Sequence, residues 1–229
     1  MEAINQKKLI EYLSNHVTNQ RLAQFKNVLS QRTRYITVAL EDIYQSQNAS
    51  AVLRTMDCFG IQDVHVIENR NEYKINPDVT LGSSKWLSIN RYNKQQNNTE
   101  KAINLLKEQN YRIVATTPHT KDIELKNFDI HKGKVALFLG AEKRGISDTV
   151  MENADEYLKI PMYGFTESYN ISVSAAITLY HISSALRNSQ IPWQLEEDEK
   201  DELLLEWLKK SIKRSELIVK DFLSKTENI

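Results

Sequence analysis

A regular alternation of strand-like and helix-like segments, starting at residue 35, constrains the fold most strongly. Residues 135–139 are apolar at every position, which is typical of a central strand covered on both faces by helices, and Gly140 ends that segment. Strands separated by helices indicate parallel pairing, because each parallel strand is reached through a crossover connection. The sequence therefore predicts an α/β fold with a mostly parallel sheet.

The hydrophobic pattern predicts six strands and four helices in this region. The strands cover residues 35–40, 63–67, 85–89, 111–116, 134–139 and 156–160, and the helices lie near residues 50–59, 100–109, 148–153 and 171–188. In the last helix, Ala175, Leu179, Ile182 and Leu186 recur on one face, so we expect that face to be packed. Asn170 precedes it as a natural N-cap.

The two ends of the chain differ from this region. Residues 1–34 are predicted to form a basic helical extension, residues 35–190 the central α/β domain, and residues 191–229 a C-terminal extension with one final helix. The first segment carries a net charge of +4, and residues 209–214 form a second basic cluster. Because the whole chain has no net charge, with 30 basic and 30 acidic residues, nucleic-acid binding would need such local patches. The first segment also fits an ordinary solvated helix face. The second cluster also fits the helix dipole, because acidic residues stand at the start of its helix and basic residues after the first turns.

Several common chemistries lack their motifs. Cys58 is the single cysteine, which excludes an internal disulfide framework and a thiolate zinc cluster. The loop after Gly140 has a second glycine at Gly145, but Ile146 and Ser147 follow where a Walker A motif needs lysine and then serine or threonine. The dinucleotide fingerprint, the serine-hydrolase elbow and closely spaced histidine pairs are missing as well. With neither a signal sequence nor a membrane-length apolar run, we expect a cytoplasmic protein with no membrane anchor and no metal.

Three segments carry a more specific signal. They are residues 48–55 (NASAVLRT), 139–147 (LGAEKRGIS) and 160–174 (IPMYGFTESYNISVS). In this order and spacing they resemble the three motifs of the SPOUT-class RNA 2′-O-ribose methyltransferases of the TrmH (SpoU) family, and the likeness covers about residues 37–187. The terminal helices are similar to those of its tRNA-modifying branch. This resemblance implies an α/β sheet whose C-terminal part forms a deep trefoil knot, and a homodimer with the site near the subunit interface.

The resemblance also implies a reaction. We expect methyl transfer from S-adenosylmethionine to the ribose 2′-hydroxyl of a tRNA guanosine, at D-loop position 18. Ribosomal RNA 2′-O-methylation is the alternative with the same chemistry; the short N-terminal segment favours tRNA, because ribosomal relatives commonly carry a separate N-terminal RNA-binding domain. A non-catalytic knotted RNA-binding protein is the alternative from another class. An unrelated α/β enzyme is supported only by the fold pattern.

The catalytic positions implied by the resemblance are Asn48, Arg54, Glu142, Ser168 and Asn170. A ribose hydroxyl is a weak nucleophile unless a group accepts its proton or holds it for attack. Arg54 would act either as a base or as a charged clamp on a substrate phosphate, and Glu142 would orient Arg54 or Asn170. Asn48 and Asn170 also fit plain helix caps. The family commonly has glutamine where Glu167 stands, which adds a negative charge near an anionic substrate.

The methyl-donor pocket implied by the resemblance lies at the ends of predicted strands. Its residues would be Thr116, Gly140, Ile160, Met162 and Tyr169. Gly140 would allow a close approach of the backbone, and the three larger apolar side chains would pack against adenine. Lys143 and Arg144, next to Glu142, are further candidates for phosphate contacts.

Overall fold

The computed structural model describes residues 3–118, 122–142 and 144–226. They divide into two compact units. One is the continuous stretch Thr33–Trp193, and the other is made of the segments up to Arg32 and from Gln194 onwards. Lys143 lies outside the described ranges, so its role as a phosphate contact stays a prediction.

The Thr33–Trp193 unit is built on a parallel sheet. Within the described residues it has seven strands in the order β3-β2-β1-β6-β4-β7-β5, and each neighbouring pair is parallel. The strands are β1 (Ile36–Glu41), β2 (Asp63–Ile67), β3 (Ser88–Tyr92), β4 (Tyr111–Thr116), β5 (Ile123–Glu124), β6 (Lys134–Leu139) and β7 (Glu156–Lys159). The predicted α/β class with a parallel sheet is confirmed.

The helices follow the chain in order. They are α1 (Ala3–Ser14), α2 (Asn19–Leu29), α3 (Ser46–Cys58), α4 (Pro77–Thr80), α5 (Asn98–Glu108), α6 (Asp148–Asn153), α7 (Ile171–Arg187), α8 (Glu197–Ser211) and α9 (Ser215–Thr226). Helices α3 to α7 belong to the sheet unit, and the other four belong to the terminal unit.

Both faces of the sheet are covered. In β6, Val135, Leu137 and Leu139 belong to a core cluster shared with α3 and α7, whereas Ala136 and Phe138 point into a second cluster shared with α5 and α6. All five side chains are at most 1% exposed. This alternation is what a strand buried on both faces requires, and it explains why the segment is apolar at every position. The predicted apolar stripe of α7 is also buried in the first cluster.

Some predicted boundaries were wrong. The strand predicted at residues 85–89 lies at Ser88–Tyr92, because Ser83–Lys85 form a 3-10 turn after Gly82, whose φ is 82°. Helix α3 begins at Ser46, four residues before its predicted start, with Gln45 in the N-cap position. Asn48 is therefore inside the helix, and the capping interpretation of Asn48 was wrong. The two-residue strand β5 was not predicted.

The terminal unit packs around Trp207. This side chain is 1% exposed, the Phe25 ring meets it edge-on with centroids 5.8 Å apart, and the Arg32 guanidinium lies 5.4 Å from its ring centroid. The N-terminal extension, predicted to be helical, consists of two helices, and Thr18 caps the second. The single C-terminal helix is also two, separated near Arg214, whose φ is 58°.

The basic N-terminal segment offers less positive charge than its composition suggests. Arg32 is only 1% exposed, and Nε of Arg34 donates a 3.0 Å hydrogen bond to the carboxylate of Asp63. Lys8 and Lys26 remain exposed. The count of +4 from the sequence thus overstates what this segment can present to an anionic partner, because cations buried or paired inside the protein contribute little to binding phosphates.

Candidate active site

The donor-pocket candidates from the strands lie along one edge of the sheet. Strand β4 lies between β6 and β7, and all three run in the same direction. Thr116 ends β4, Gly140 follows β6 and Ile160 follows β7. Ligands of open α/β sheets bind outside the carboxyl ends of the strands, so this edge is the expected place for a site.

A hydrogen-bonded cluster joins all three sequence motifs. Nδ2 of Asn48 donates to Oε1 of Glu142 at 2.8 Å, and Nδ2 of Asn170 donates to Oδ1 of Asn48 at 3.1 Å. We call these three residues the asparagine cluster. They are separated by 94 and 122 positions along the chain, so only the fold brings them together. Three of the five predicted catalytic residues therefore meet in direct contact.

Helix geometry fixes the two asparagines. Asn48 lies in the first turn of α3 and is 8% exposed. Asn170 caps α7: its Oδ1 accepts hydrogen bonds from the backbone nitrogen of Ser172 at 2.9 Å and from the Ser172 hydroxyl at 2.6 Å. The predicted N-cap at Asn170 is confirmed. Capping uses its carbonyl oxygen and leaves its amide nitrogen to bind Asn48, so one side chain serves both purposes.

Glu142 is presented by a tight turn. The backbone nitrogen of Gly145 donates to the carbonyl of Ala141 at 2.8 Å, and Gly145 has a φ of 69°. A Cβ placed on Gly140 would lie 2.3 Å from the backbone carbonyl of Gly145 and 2.4 Å from the nitrogen of Ile146. The turn itself therefore requires glycine at position 140. This steric requirement explains the glycine more directly than the expected close approach of a cofactor does.

One oxygen of Glu142 has no hydrogen-bond partner among the described residues. Oε1 accepts from Asn48, whereas Oε2 is buried and makes no hydrogen bond with the described residues. A buried carboxylate oxygen without a partner is costly, and such groups are normally satisfied by water or a ligand. This oxygen is therefore available to accept a hydrogen bond from a bound molecule.

The other two predicted catalytic residues do not join the cluster. Arg54 is exposed on α3, and its side chain makes no hydrogen bond or ion pair with another described residue. Ser168 is exposed in the loop before α7 and likewise makes no hydrogen bond with the described residues. Glu142 contacts Asn48 rather than Arg54 or Asn170, so neither predicted orienting role is seen. Arg54 and Ser168 are free to meet a substrate.

The donor-pocket candidates differ in whether their side chains are engaged within the protein or accessible to a ligand. The Thr116 hydroxyl donates to the carbonyl of Phe138 at 2.9 Å, which ties the ends of β4 and β6 together. Ile160 packs partly against the core, and Met162 is half-buried. Tyr169 is 41% exposed, and its hydroxyl donates to the carbonyl of Pro161 at 3.4 Å. The loop thus keeps apolar surface of Met162 and Tyr169 accessible for packing against a ring.

Two supporting residues were missed by the sequence analysis. Oε1 of Gln45 accepts a 3.0 Å hydrogen bond from Nδ2 of Asn48, so both hydrogens of that amide are engaged. Glu41, 2% exposed at the end of β1, accepts from the hydroxyl and the backbone nitrogen of Ser147 at 2.7 and 2.9 Å. It thereby fixes the far end of the loop that carries Glu142. A carboxylate at the end of an apolar strand was the signal available for Glu41; Gln45 had none.

A parallel α/β protein that joins these three motifs has known relatives. Residues 35–180 match the SpoU rRNA Methylase family, and the chain belongs to that family. It is 47% identical over 211 residues to a tRNA (guanosine(18)-2′-O)-methyltransferase of Borreliella burgdorferi, a match that covers 92% of this chain and 94% of the relative.

Solved structures agree with the fold. The crystal structure of the A. aeolicus TrmH/SpoU tRNA modifying enzyme matches with a TM-score of 0.75 at 27% identity, covering 85% of this chain and 98% of that one. An AdoMet-bound rRNA methyltransferase from Sinorhizobium meliloti matches with a TM-score of 0.59 at 23% identity, covering 68% of this chain and 58% of that one. The second likeness concerns the fold alone.

Residues 3–118, 122–142 and 144–226 lack two kinds of feature. There, no helix is long and apolar enough to cross a membrane. The same residues contain no group of three or more histidine, cysteine, aspartate or glutamate side chains placed to hold a metal ion.

Proposed function

We propose that the protein transfers a methyl group from S-adenosylmethionine to the ribose 2′-oxygen of the guanosine at position 18 of tRNA. The asparagine cluster carries this proposal, because it joins one polar residue from each of the three family motifs beside the strand ends. The 47% identity to a tRNA (guanosine(18)-2′-O)-methyltransferase over nearly the whole chain supports the choice of substrate.

The residues at the strand ends fit the methyl donor. S-adenosylmethionine, when bound, would supply an electrophilic methyl group: the bond between this carbon and the sulfonium sulfur would break as the bond to the 2′-oxygen forms, the sulfur would keep the electron pair and leave as the thioether S-adenosylhomocysteine, and the hydroxyl proton would be released to water. Met162 and Tyr169 offer accessible apolar surface for the adenine ring. The backbone that follows Thr116, Gly140 and Ile160 would supply the polar contacts, since the Thr116 hydroxyl already donates inside the protein.

Arg54 is assigned to the substrate rather than to the cluster. A guanidinium is protonated at neutral pH and has no acceptor, so it is poorly suited to take the proton of a hydroxyl directly. Its fork of donors matches a phosphate, and its charge stabilises a developing alkoxide. The exposed position of Arg54, with no partner among the described residues, supports this clamp role.

Glu142 and Ser168 complete the proposed machinery. Oε2 of Glu142 would accept a hydrogen bond from the substrate, which would satisfy its unpaired buried oxygen. Ser168 would contact the ribose or its phosphate through its exposed hydroxyl. Asn48 acts behind these groups, because both of its amide hydrogens are engaged inside the protein.

We also propose the finer features implied by the family. The C-terminal part of the sheet unit is expected to form a trefoil knot, and the working form is expected to be a cytoplasmic homodimer. Apolar side chains exposed on α7 and in the loop before it support an interface with a second copy; they are Tyr163, Phe165, Val173 and Tyr180. Sedimentation or light scattering tests the dimer.

The reaction is tested with labelled S-adenosylmethionine and two substrates, unmodified total tRNA and ribosomal RNA. Nuclease digestion and mass spectrometry then identify the product nucleoside. The proposal expects 2′-O-methylguanosine from tRNA only. Label in ribosomal RNA alone would keep the chemistry and replace the substrate. RNA binding without methyl transfer, in protein that binds the donor, would support the non-catalytic alternative.

A further inference from the structure

A concave surface lies beside the asparagine cluster. It is an open groove of about 560 Å³ lined by residues 44–47, 70–72 and 74, and we call it the side cleft. This volume is within the range of small-ligand pockets, roughly 300–1,000 Å³. Gln45 lines the cleft and also accepts the hydrogen bond from Asn48, so the cleft begins one side chain away from the cluster.

The cleft combines an aromatic ring with cations. Tyr44 is 77% exposed, although it directly follows the buried Ile43. Arg70 is exposed, and its side chain makes no hydrogen bond or ion pair with another described residue. Lys74 is also exposed and pairs with Glu72 at 3.5 Å. An exposed ring and an exposed guanidinium that line one groove can together bind a single-stranded base and its phosphate.

Hydrogen bonds to Asp42 fix the positions of the two segments that line the side cleft. One oxygen of the Asp42 carboxylate accepts hydrogen bonds from the backbone nitrogens of Asn69, Arg70 and Asn71, at 2.8, 2.8 and 3.3 Å. Asp42 itself adopts a φ of 51°, and its carbonyl accepts from the Asn71 amide at 2.7 Å. The segment that carries Arg70 is thereby tied to the segment that carries Tyr44. Such preorganisation reduces the entropy cost of binding.

From this geometry we infer that the side cleft binds the nucleotide next to the methylated one in the RNA substrate. Its base stacks on Tyr44, and Arg70 contacts a backbone phosphate. The inference rests on the proposed function, because the asparagine cluster must be the place where the target ribose lies. Stacking and phosphate contact are tolerant of sequence, so the cleft contributes affinity and alignment rather than choice of base.

The test compares four variants with wild-type protein. Tyr44→Ala is expected to weaken tRNA binding about tenfold, as loss of one stacked base does, and Tyr44→Phe is expected to keep it. Arg70→Ala is expected to weaken binding and to lower the slope of log Kd against log salt by about one, the change for one lost phosphate contact. Lys101→Ala removes an exposed cation on α5 and is the matched control. S-adenosylmethionine affinity should stay unchanged in all four.

A second measurement identifies the occupant. tRNA carrying an abasic residue immediately 5′ or 3′ of the target guanosine is assayed with wild-type protein and with Tyr44→Ala. If the missing base is the one that stacks on Tyr44, removing the base and removing the ring abolish the same contact. The increase in Kd caused by both changes together is then at least fivefold smaller than the product of the two separate increases. The inference would be overturned if the effects on Kd simply multiplied for both the 5′ and the 3′ abasic tRNA, or if Tyr44→Ala and Arg70→Ala bound tRNA as wild-type protein does. Failure of wild-type protein to methylate any RNA would instead reject the proposed function.

Discussion

The amide nitrogen of Asn170 lies 3.1 Å from Oδ1 of Asn48, across 122 positions of the chain. This contact links the N-terminus of α7 to the first turn of α3, and Asn48 in turn donates a hydrogen bond to Glu142. Each side chain in the series is oriented by the next. Under the proposed function, Asn48 would therefore influence catalysis from a buried position without touching substrate.

Asn48→Ala is expected to lower methyl transfer about 100-fold, because misplacing catalytic groups by about 1 Å has effects of this size. Asn48→Asp should be at least as damaging, since a carboxylate cannot donate to Glu142 and would repel it. Steady-state kinetics with tRNA measure both. Asn97→Ala, which removes the exposed cap of α5, is the matched control. Near wild-type kcat in Asn48→Ala would contradict the positioning role.

Arg54→Ala is expected to abolish measurable turnover while S-adenosylmethionine binding stays within about twofold, because the Arg54 side chain is exposed and makes no hydrogen bond or ion pair with another described residue. Arg54→Lys keeps the charge but loses the fork of donors, so partial activity is expected. Single-turnover assays and calorimetry separate the two effects. Substantial turnover in Arg54→Ala would reject its assignment to the reaction.

Glu142→Gln tests the unpaired oxygen. The amide carbonyl can still accept from Asn48, but the second position becomes a donor and the negative charge is lost. We expect a 10- to 100-fold loss in kcat/KM with little change in stability, in line with one lost charge-assisted hydrogen bond to the substrate. Thermal unfolding checks stability. Unchanged kcat/KM would show that Oε2 contacts no substrate group.

His65 gives the fold a pH-dependent stability. Burial lowers the pKa of His65 to about 4, and its Nδ1 lies 2.7 Å from the Tyr92 hydroxyl oxygen. Because the unfolded chain binds the proton more readily, the contribution of His65 to the free energy of unfolding is fully present above pH 6.5 and is lost as the pH falls towards 4. The loss amounts to about 3 kcal/mol over that window. Urea unfolding at pH 7.5 and 5 should show a smaller change for His65→Gln than for wild type; parallel curves would contradict this.

The sheet was predictable and parts of the site were not. Apolar strands such as β6 and the stripe of α7 follow directly from burial, so their periodicity appears in the sequence. The early start of α3 could not be predicted, because Gln45 is a weak capping residue and its side chain makes no capping hydrogen bond. The contact between Asn48 and Glu142 depends on which strands are neighbours, and local patterns carry no such information.

Charge was the least predictable property. Arg32 counts as a cation in the sequence, yet it lies buried against the Trp207 ring. Arg34 is likewise paired with Asp63. Composition gives the number of charges, whereas tertiary packing decides which of them a substrate can reach.

Methyl transfer to tRNA that lacks one ribose hydroxyl tests the proposed acceptor atom. Two tRNA molecules are prepared that differ only at position 18, one with guanosine and one with 2′-deoxyguanosine, and each is incubated with labelled S-adenosylmethionine. We expect stoichiometric 2′-O-methylation of the first and no label in the second. Equal labelling of both would show that the acceptor is not this 2′-oxygen and would reject the proposed reaction.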